Sequence, residues 1–272
     1  MKIGILSDIH VDINHQSGKD VVTPALCTYI NNSSLNLFII AGDVASDYVL
    51  TLKTIETLEN ETGIPILFVP GNHDIWTENH PDLTSWEIYK KLNKHPHNLA
   101  GSPYTINDDW IVIGDLGWYD YKFGTSTYSL EDFNRMRFED RLWQDSIMAK
   151  WDRPTIEMND FFLRKLEKQL SRINTGNIIA VTHVLPVADF TVQNPSPMWK
   201  YLNAFLGSPD YGTLFEKHPG VRYSIAGHVH YRKTVKKNGT VYICNCLGYS
   251  TEWRDTNDPF TEIPRAVKTI EI

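Results

Sequence analysis

The 272-residue chain has only three cysteines, Cys27, Cys244 and Cys246. So sparse and odd a count builds no disulfide framework, and Cys244-Asn245-Cys246 lacks the second pair that would complete a thiolate zinc site. Reduced thiols and a cytoplasmic location are the expectation. No stretch approaches the ~18 consecutive apolar residues of a membrane span. The opening MKIGILSDIH also has too short an apolar run, and no small-residue cleavage site, for a secretory signal. Excess positive charge is missing as well, with 26 Lys and Arg against 33 Asp and Glu, a net charge of −7. Such a surface repels polyanions, which excludes long nucleic acid and anionic membrane as partners. A small anionic substrate stays open, because bound cations invert a local field. Internal repeats and low-complexity tracts are absent too. With 42% hydrophobic and 22% charged residues, the chain has ordinary globular composition, enough for a sizeable core. At about 150 residues per domain the length allows one or two domains.

What the chain does have is one local pattern five times over. A short apolar run stops, and Asp, Asn or His follows at once. Ile3 to Leu6 leads into Asp8 and His10; Leu37 to Ile40 into Gly42-Asp43; Ile66 to Val69 into Gly71-Asn72-His73-Asp74; Ile178 to Val181 into His183; Tyr223 to Ala226 into Gly227-His228-Val229-His230. Runs of this length without polar alternation predict strands buried on both faces. Helical spacing lies between several of them, over 24–31, 46–58 and 161–173. The second of these is capped by Ser46 or Asp47, with Val49, Leu52, Ile55 and Leu58 on one face. Strand–helix alternation implies parallel strands with right-handed crossovers, and ligands then bind beyond the strands' carboxyl ends. The five polar clusters should therefore meet on one rim.

Further on, runs at 232–235 and 240–244 flank Lys236-Lys237-Asn238-Gly239, a hairpin signal, and residues 266–272 alternate as a last strand. Two packed sheets, one largely parallel and one richer in hairpins, covered by helices, account for the length as a single domain over 1–272. Residues 117–157 and 186–215 fit neither pattern and are expected to be insertions forming a cap or an interface. The first is dense in aromatics, with Arg135, Arg137 and Arg141 among them. Aromatics of an insertion serve its own core first; those that face the rim have the chemistry to stack on a flat group, and the arginines to reach a phosphate.

Taken together the clusters supply Asp8, Asp43 and Asp74, five histidines and the Asn72 amide, too many donors for one tetrahedral zinc and enough for two ions. Two cations roughly 3.5–4 Å apart need a bridging anion, and a lone carboxylate at a strand end such as Asp43 suits that place. Each motif alone is a common turn; five in order, each after a buried strand, are not. Together they resemble the complete signature of the calcineurin-like metallophosphoesterases, with no signature position substituted.

The resemblance implies an α/β fold, a four-layer αββα sandwich of two mixed sheets flanked by helices, with insertions capping a dinuclear metal rim. It implies one metal on Asp8, His10, Asp43 and His230 and the other on Asp43, Asn72, His183 and His228, with a bridging hydroxide as nucleophile. His73 is implied to stand beside the scissile phosphate, oriented by Asp74. Oxygen and imidazole donors admit Mn, Fe, Zn, Co or Ni, manganese or iron first. The motif form is also similar to class III cyclic-nucleotide phosphodiesterases, so a phosphodiesterase of small or nucleotide-like substrates is the expected activity. Phosphomonoester or phosphoprotein hydrolysis is the alternative, although the arginines that clamp a dianion in such phosphatases do not follow Gly42-Asp43 or Gly71-Asn72-His73. A non-catalytic scaffold of the same fold is the more distant one.

Overall fold

The computed structural model describes residues 1–173 and 176–272. The first part runs β1 (Lys2–Leu6), α1 (Val22–Asn31), β2 (Leu37–Ala41), α2 (Tyr48–Thr62), β3 (Ile66–Val69), α3 (Ser85–Leu92), β4 (Tyr104–Asn107) and β5 (Trp110–Asp115). Short pieces follow: α4 (Leu130–Asn134), the two-residue strands β6 (Arg137–Phe138) and β7 (Arg141–Leu142), and α5 (Asp145–Met148). Then come α6 (Thr155–Leu170), β8 (Asn177–Thr182), α7 (Pro197–Leu202), α8 (Pro209–Glu216), β9 (Val221–Ala226), β10 (Arg232–Lys237), β11 (Thr240–Asn245), α9 (Pro259–Ala266) and β12 (Lys268–Glu271).

Two main sheets result, in the orders β12-β1-β2-β3 and β10-β11-β9-β8-β5-β4. In the first, β1, β2 and β3 are parallel and β12 closes the edge antiparallel to β1. In the second, β11, β9, β8 and β5 are parallel, with antiparallel strands β10 and β4 at the edges. The five expected strands are all present but divide three and two between the sheets. Both sheets are mixed and helices flank them, so the four layers expected from the motifs are those observed.

Strand periodicity explains why these runs carry no polar alternation. Ile3, Ile5, Leu37, Ile39, Leu67 and Val69 point from the first sheet to Val112, Ile179, Val181, Ile225 and Ile243 of the second. Their neighbours Leu6, Phe38, Ile40, Ile66 and Phe68 point the other way, under α1, α2 and α3. On the far side Ile113, Ile178 and Ala180 pack beneath α6 and α8.

Local expectations differ at two places. Helix α2 buries Thr51, Thr54, Ile55 and Leu58, whereas Val49 is exposed. The inward face is rotated because the Thr51 hydroxyl is drawn to Asp74. Its N-cap is Asp47, which accepts from Val49 N at 2.7 Å, leaving Ser46 free for another task. The last predicted strand shortens to β12, since Asp258 caps a helix that runs through Pro264 to Ala266. Cys244 and Cys246 are free thiols 3.8 Å apart, buried beside Ser7 and outside the donor clusters of the rim. Among the described residues no helix is long and apolar enough to cross a membrane.

Ile39 lies wholly buried between the sheets, in an inner strand of the first. Ile39→Ala should cost about 2–5 kcal/mol of folding stability, read as a lowered urea midpoint with an unchanged slope.

Candidate metal centre

Every cluster singled out in the sequence sits at the carboxyl end of its strand. The two sheets bring those ends together, and Ser7 pairs with Cys246 across the junction. To turn side chains back over the rim, the backbone enters the left-handed region at Asp8 (φ 52°), His10 (42°), Asp43 (54°), His228 (76°) and His230 (53°). Each such non-glycine residue costs on the order of 1–3 kcal/mol. Bonds between the loops hold them there, among them Asp8 N to Gly42 O at 2.9 Å and His10 N to Asp43 O at 3.1 Å. Two glycines allow the approach: a Cβ on Gly42 would lie 2.5 Å from His183 Nδ1, and one on Gly71 would lie 2.1 Å from Asp43 Oδ1.

Seven donors converge, and most are anchored so that a lone pair faces inward. His183 Nδ1 donates to Ala41 O at 2.8 Å, freeing Nε2. His228 Nε2 donates to Phe205 O at 3.1 Å, freeing Nδ1. His230 Nδ1 donates to Glu252 at 2.8 Å, and the Asn72 amide donates to Asp145 at 2.9 Å, so that Asn72 Oδ1 points at the centre. His10 is the exception, its Nδ1 buried without a partner. Asp8 is fixed by the His228 amide, which reaches both carboxylate oxygens at 2.9 and 3.0 Å.

The inward atoms crowd. His183 Nε2 and His228 Nδ1 lie 3.2 Å apart, each 3.0 Å from Asn72 Oδ1, and His10 Nε2 lies 3.1 Å from His230 Nε2. Asp43 Oδ2 stands between the two groups, 3.4 Å from His183 Nε2 and 3.7 Å from His10 Nε2. Burial drives His228 down to about 3, with the proton on His183 as the second cause. Burial also opposes a proton on His183, but the Asp43 carboxylate outweighs it and pushes that ring up to about 10. Few protons are thus shared among many lone pairs, an arrangement that a cation satisfies and that metal binding competes for. Donor type and convergence fit a pair of metals: Asp8, His10 and His230 on one side, Asn72, His183 and His228 on the other, and Asp43 common to both.

The calcineurin-like phosphoesterase family profile matches residues 1–232. The chain belongs to that family. It is a phosphoester hydrolase of a family that uses a dinuclear metal centre and acts on small phosphoesters. An uncharacterized protein of Acanthamoeba polyphaga mimivirus is 22% identical to it over 274 residues, covering 95% of this chain and 94% of that protein. Among solved structures it is similar to phosphopantetheinyl hydrolase from Mycobacterium tuberculosis, with a TM-score of 0.73 at 15% identity over 99% of this chain and 95% of that one. A dimetal phosphatase from Danio rerio aligns with a TM-score of 0.55 at 14% identity, covering 90% and 86%. At such identities these two likenesses are of fold.

In this phosphoesterase His73 faces the centre, its Nε2 3.9 Å from Asp43 Oδ2. The expectation that Asp74 orients it is not met. His73 and Asp74 are consecutive in a 3₁₀ turn, so their side chains diverge by a third of a turn. Asp74 instead accepts from Gly71 N (2.7 Å), Asp43 N (2.8 Å), Val44 N and Ala45 N (both 3.1 Å) and the Thr51 hydroxyl (2.6 Å). It ties the Asp43 loop to the Asn72 loop. Burial and the Asp43 carboxylate push Asp74 up to about 7, whereas its five donors favour the ionised form. What holds His73 is Ser46, whose Oγ lies 3.1 Å from Nδ1, and Trp76, which lies over the ring at 3.6 Å between centroids, tilted by 31°.

A cavity of about 670 Å³ opens over the rim, bounded by Asp43, Asn72, His73, His228 and His230 below and by both insertions above. Of the three arginines, Arg141 lines it. Arg135 pairs with Glu131 at 2.7 Å and Arg137 bonds Glu139 O at 3.0 Å, both exposed and away from the cavity. Most insertion aromatics form a shared core: Tyr201 of the second insertion packs on Phe133, Phe138 and Tyr128 of the first. Trp143 and Trp199 face the cavity. Sequence reasoning missed Ser46, Trp76, Asp145 and Glu252, which lie outside every motif; all but Trp76, three residues from His73, act on residues 22 or more positions away.

Asp74→Ala should strip acceptors from buried donors, lowering the melting midpoint and the bound-metal content together. Ser46→Ala should keep both and lower turnover alone; metal analysis beside thermal melts separates the two.

Proposed function

We propose that the chain is a dinuclear-metal phosphodiesterase for small, nucleotide-like diesters, folded as one domain whose segments 117–157 and 186–215 cap the site, except for α8 of the second, which packs on the outer face of the second sheet. The observation that carries the diester reading is the charge of the cavity. Among the described residues lining it, Arg141 is the one Lys or Arg, set against Asp140, Asp145 and Glu252. A dianionic monoester calls for more than the single guanidinium that this wall offers, whereas a singly charged diester does not. Trp143, Trp199 and Tyr231 offer flat surface to a base or similar substituent. Free thiols at Cys27, Cys244 and Cys246 support a cytoplasmic setting.

Asp8, His10, Asp43 and His230 would hold one metal, and Asp43, Asn72, His183 and His228 the other, with manganese or iron first in order. Such a pair supplies a nucleophilic water near neutral pH and neutralises charge on the phosphoryl oxygens. The chain's own part is positional. The inward lone pairs are preset by Ala41, Phe205, Glu252 and Asp145, so little reorganisation accompanies binding. With the Ser46 hydroxyl donating to Nδ1, His73 presents Nε2–H toward the centre as a donor to the phosphoryl or leaving-group oxygen.

Hydrolysis of bis-p-nitrophenyl phosphate should exceed that of p-nitrophenyl phosphate at least about tenfold in kcat/KM with Mn²⁺, a difference of about 1.4 kcal/mol. Preference for the monoester would move the assignment to a monoesterase, and no turnover of either would make the chain a scaffold. A panel of cyclic nucleotides, dinucleotides and phosphopantetheinyl conjugates, the last for the solved relative named after them, then narrows the substrate. His73→Asn should keep both metals and lose about 10²–10³ in kcat. Asp43→Asn should lose metal and turnover together.

A further inference from the structure

Asp145 opens the four-residue helix α5, inside the first insertion and far from every signature motif. Its side chain is buried, and four donors saturate it. Oδ1 accepts from Asn72 Nδ2 at 2.9 Å and from Trp76 Nε1 at 2.7 Å. Oδ2 accepts from Trp143 Nε1 at 2.9 Å and from the Tyr119 hydroxyl at 3.2 Å. Burial, reinforced by Asp145, holds the Tyr119 phenol well above its ordinary value, so it stays a donor.

We propose that Asp145 is a positioning residue for one metal of the pair: it fixes the Asn72 amide so that Oδ1, not Nδ2, faces the centre. An amide has two nearly isosteric orientations, and only one presents an acceptor to a cation. Nothing in Gly71-Asn72-His73-Asp74 decides between them. Asp145 does, because a carboxylate accepts only, and a flipped Asn72 would set its oxygen against Oδ1. The same carboxylate holds Trp76, which lies tilted over His73, and Trp143, whose indole meets the His228 ring edge-on at 5.8 Å between centroids. One residue of the insertion thus aligns a ligand, the partner of His73 and a wall of the cavity.

This inference rests on Asn72 being a metal donor, and the experiment tests that separately. Mn²⁺ is titrated calorimetrically into the full-length chain and its variants, with thermal melts on the same samples. Asp145→Asn should weaken one site about 10–100-fold, the range for partners that orient a ligand, and leave the other unchanged. Tyr119→Phe, which removes a donor from the opposite oxygen, should leave both sites intact. Asn72→Asp, which sets two carboxylates against each other, should lose the same site, and the exchange Asn72→Asp with Asp145→Asn, made with Trp76→Phe because the Trp76 indole donates to the same oxygen, should restore it. That rescue keeps the test decisive even where Asp145→Asn alone fails to fold. A purely structural role would weaken both sites in step with the melting midpoint and show no rescue. Two full-affinity sites in Asp145→Asn, with one lost in Asn72→Ala, would overturn the positioning role. Two full-affinity sites in Asn72→Ala would overturn the ligand set, and this inference with it.

Discussion

Two imidazole nitrogens 3.2 Å apart, both turned inward by the bonds that their outer nitrogens make, repel unless a proton or a cation lies between them. The rim brings the Nε2 atoms of His10 and His230 as close, 3.1 Å apart, and adds Asn72 Oδ1 and Asp43 Oδ2 to the same small volume. Everything around the site serves to impose this crowding. Ala41, Phe205 and Glu252 take the outward N–H of His183, His228 and His230, so the inward nitrogens of these three rings are committed to the centre, whereas His10, its Nδ1 without a partner, keeps its choice of tautomer. Left-handed backbone at five of the donors, unfavourable by on the order of 1–3 kcal/mol apiece, is part of the same design. Such strain persists because loop-to-loop hydrogen bonds and the sheets beneath over-determine it.

Asp74 shows how the loops share that burden. Its five donors come from the Asp43 loop, from Gly71 and from helix α2, so one carboxylate locks the bridging position to the His73 position. A residue that looks like an acid–base partner in sequence is a clamp in three dimensions. The true partner of His73 is Ser46, released for that task because Asp47 caps α2.

The strands and the seven donors were legible because each obeys a one-dimensional rule: an apolar run long enough to cross a sheet, then a polar residue where it ends. The division of those strands between two sheets was not legible from periodicity, since a strand buried on both faces reads alike in either sheet. The Val49 face of α2 misled for a related reason. Helical spacing counts apolar residues, and here a buried Thr51 hydroxyl outranked an exposed valine. Asp145 and Glu252 were invisible because their partners, Asn72 and His230, lie 73 and 22 residues away, with no spacing rule to join them. The arginines were over-read for the converse reason: interleaving with aromatics says nothing about direction, and Arg135 and Arg137 turn to acceptors of their own insertion.

The acidic balance takes on a different meaning at the site. Among the carboxylates counted in a net charge of −7, Asp8 and Asp43 face the centre, while Asp74, Asp145 and Glu252 hold the residues that do. These charges are therefore satisfied locally, by donors and by the cations the cluster is built for, and they do not set the field a substrate meets. What the substrate meets is a cavity of about 670 Å³ with indole walls and one arginine. That volume lies within the roughly 300–1,000 Å³ of small-molecule sites. On the proposed reading the acidic balance of the remaining surface disfavours long polyanions, and the walls contributed by segments 117–157 and 186–215 choose among small esters.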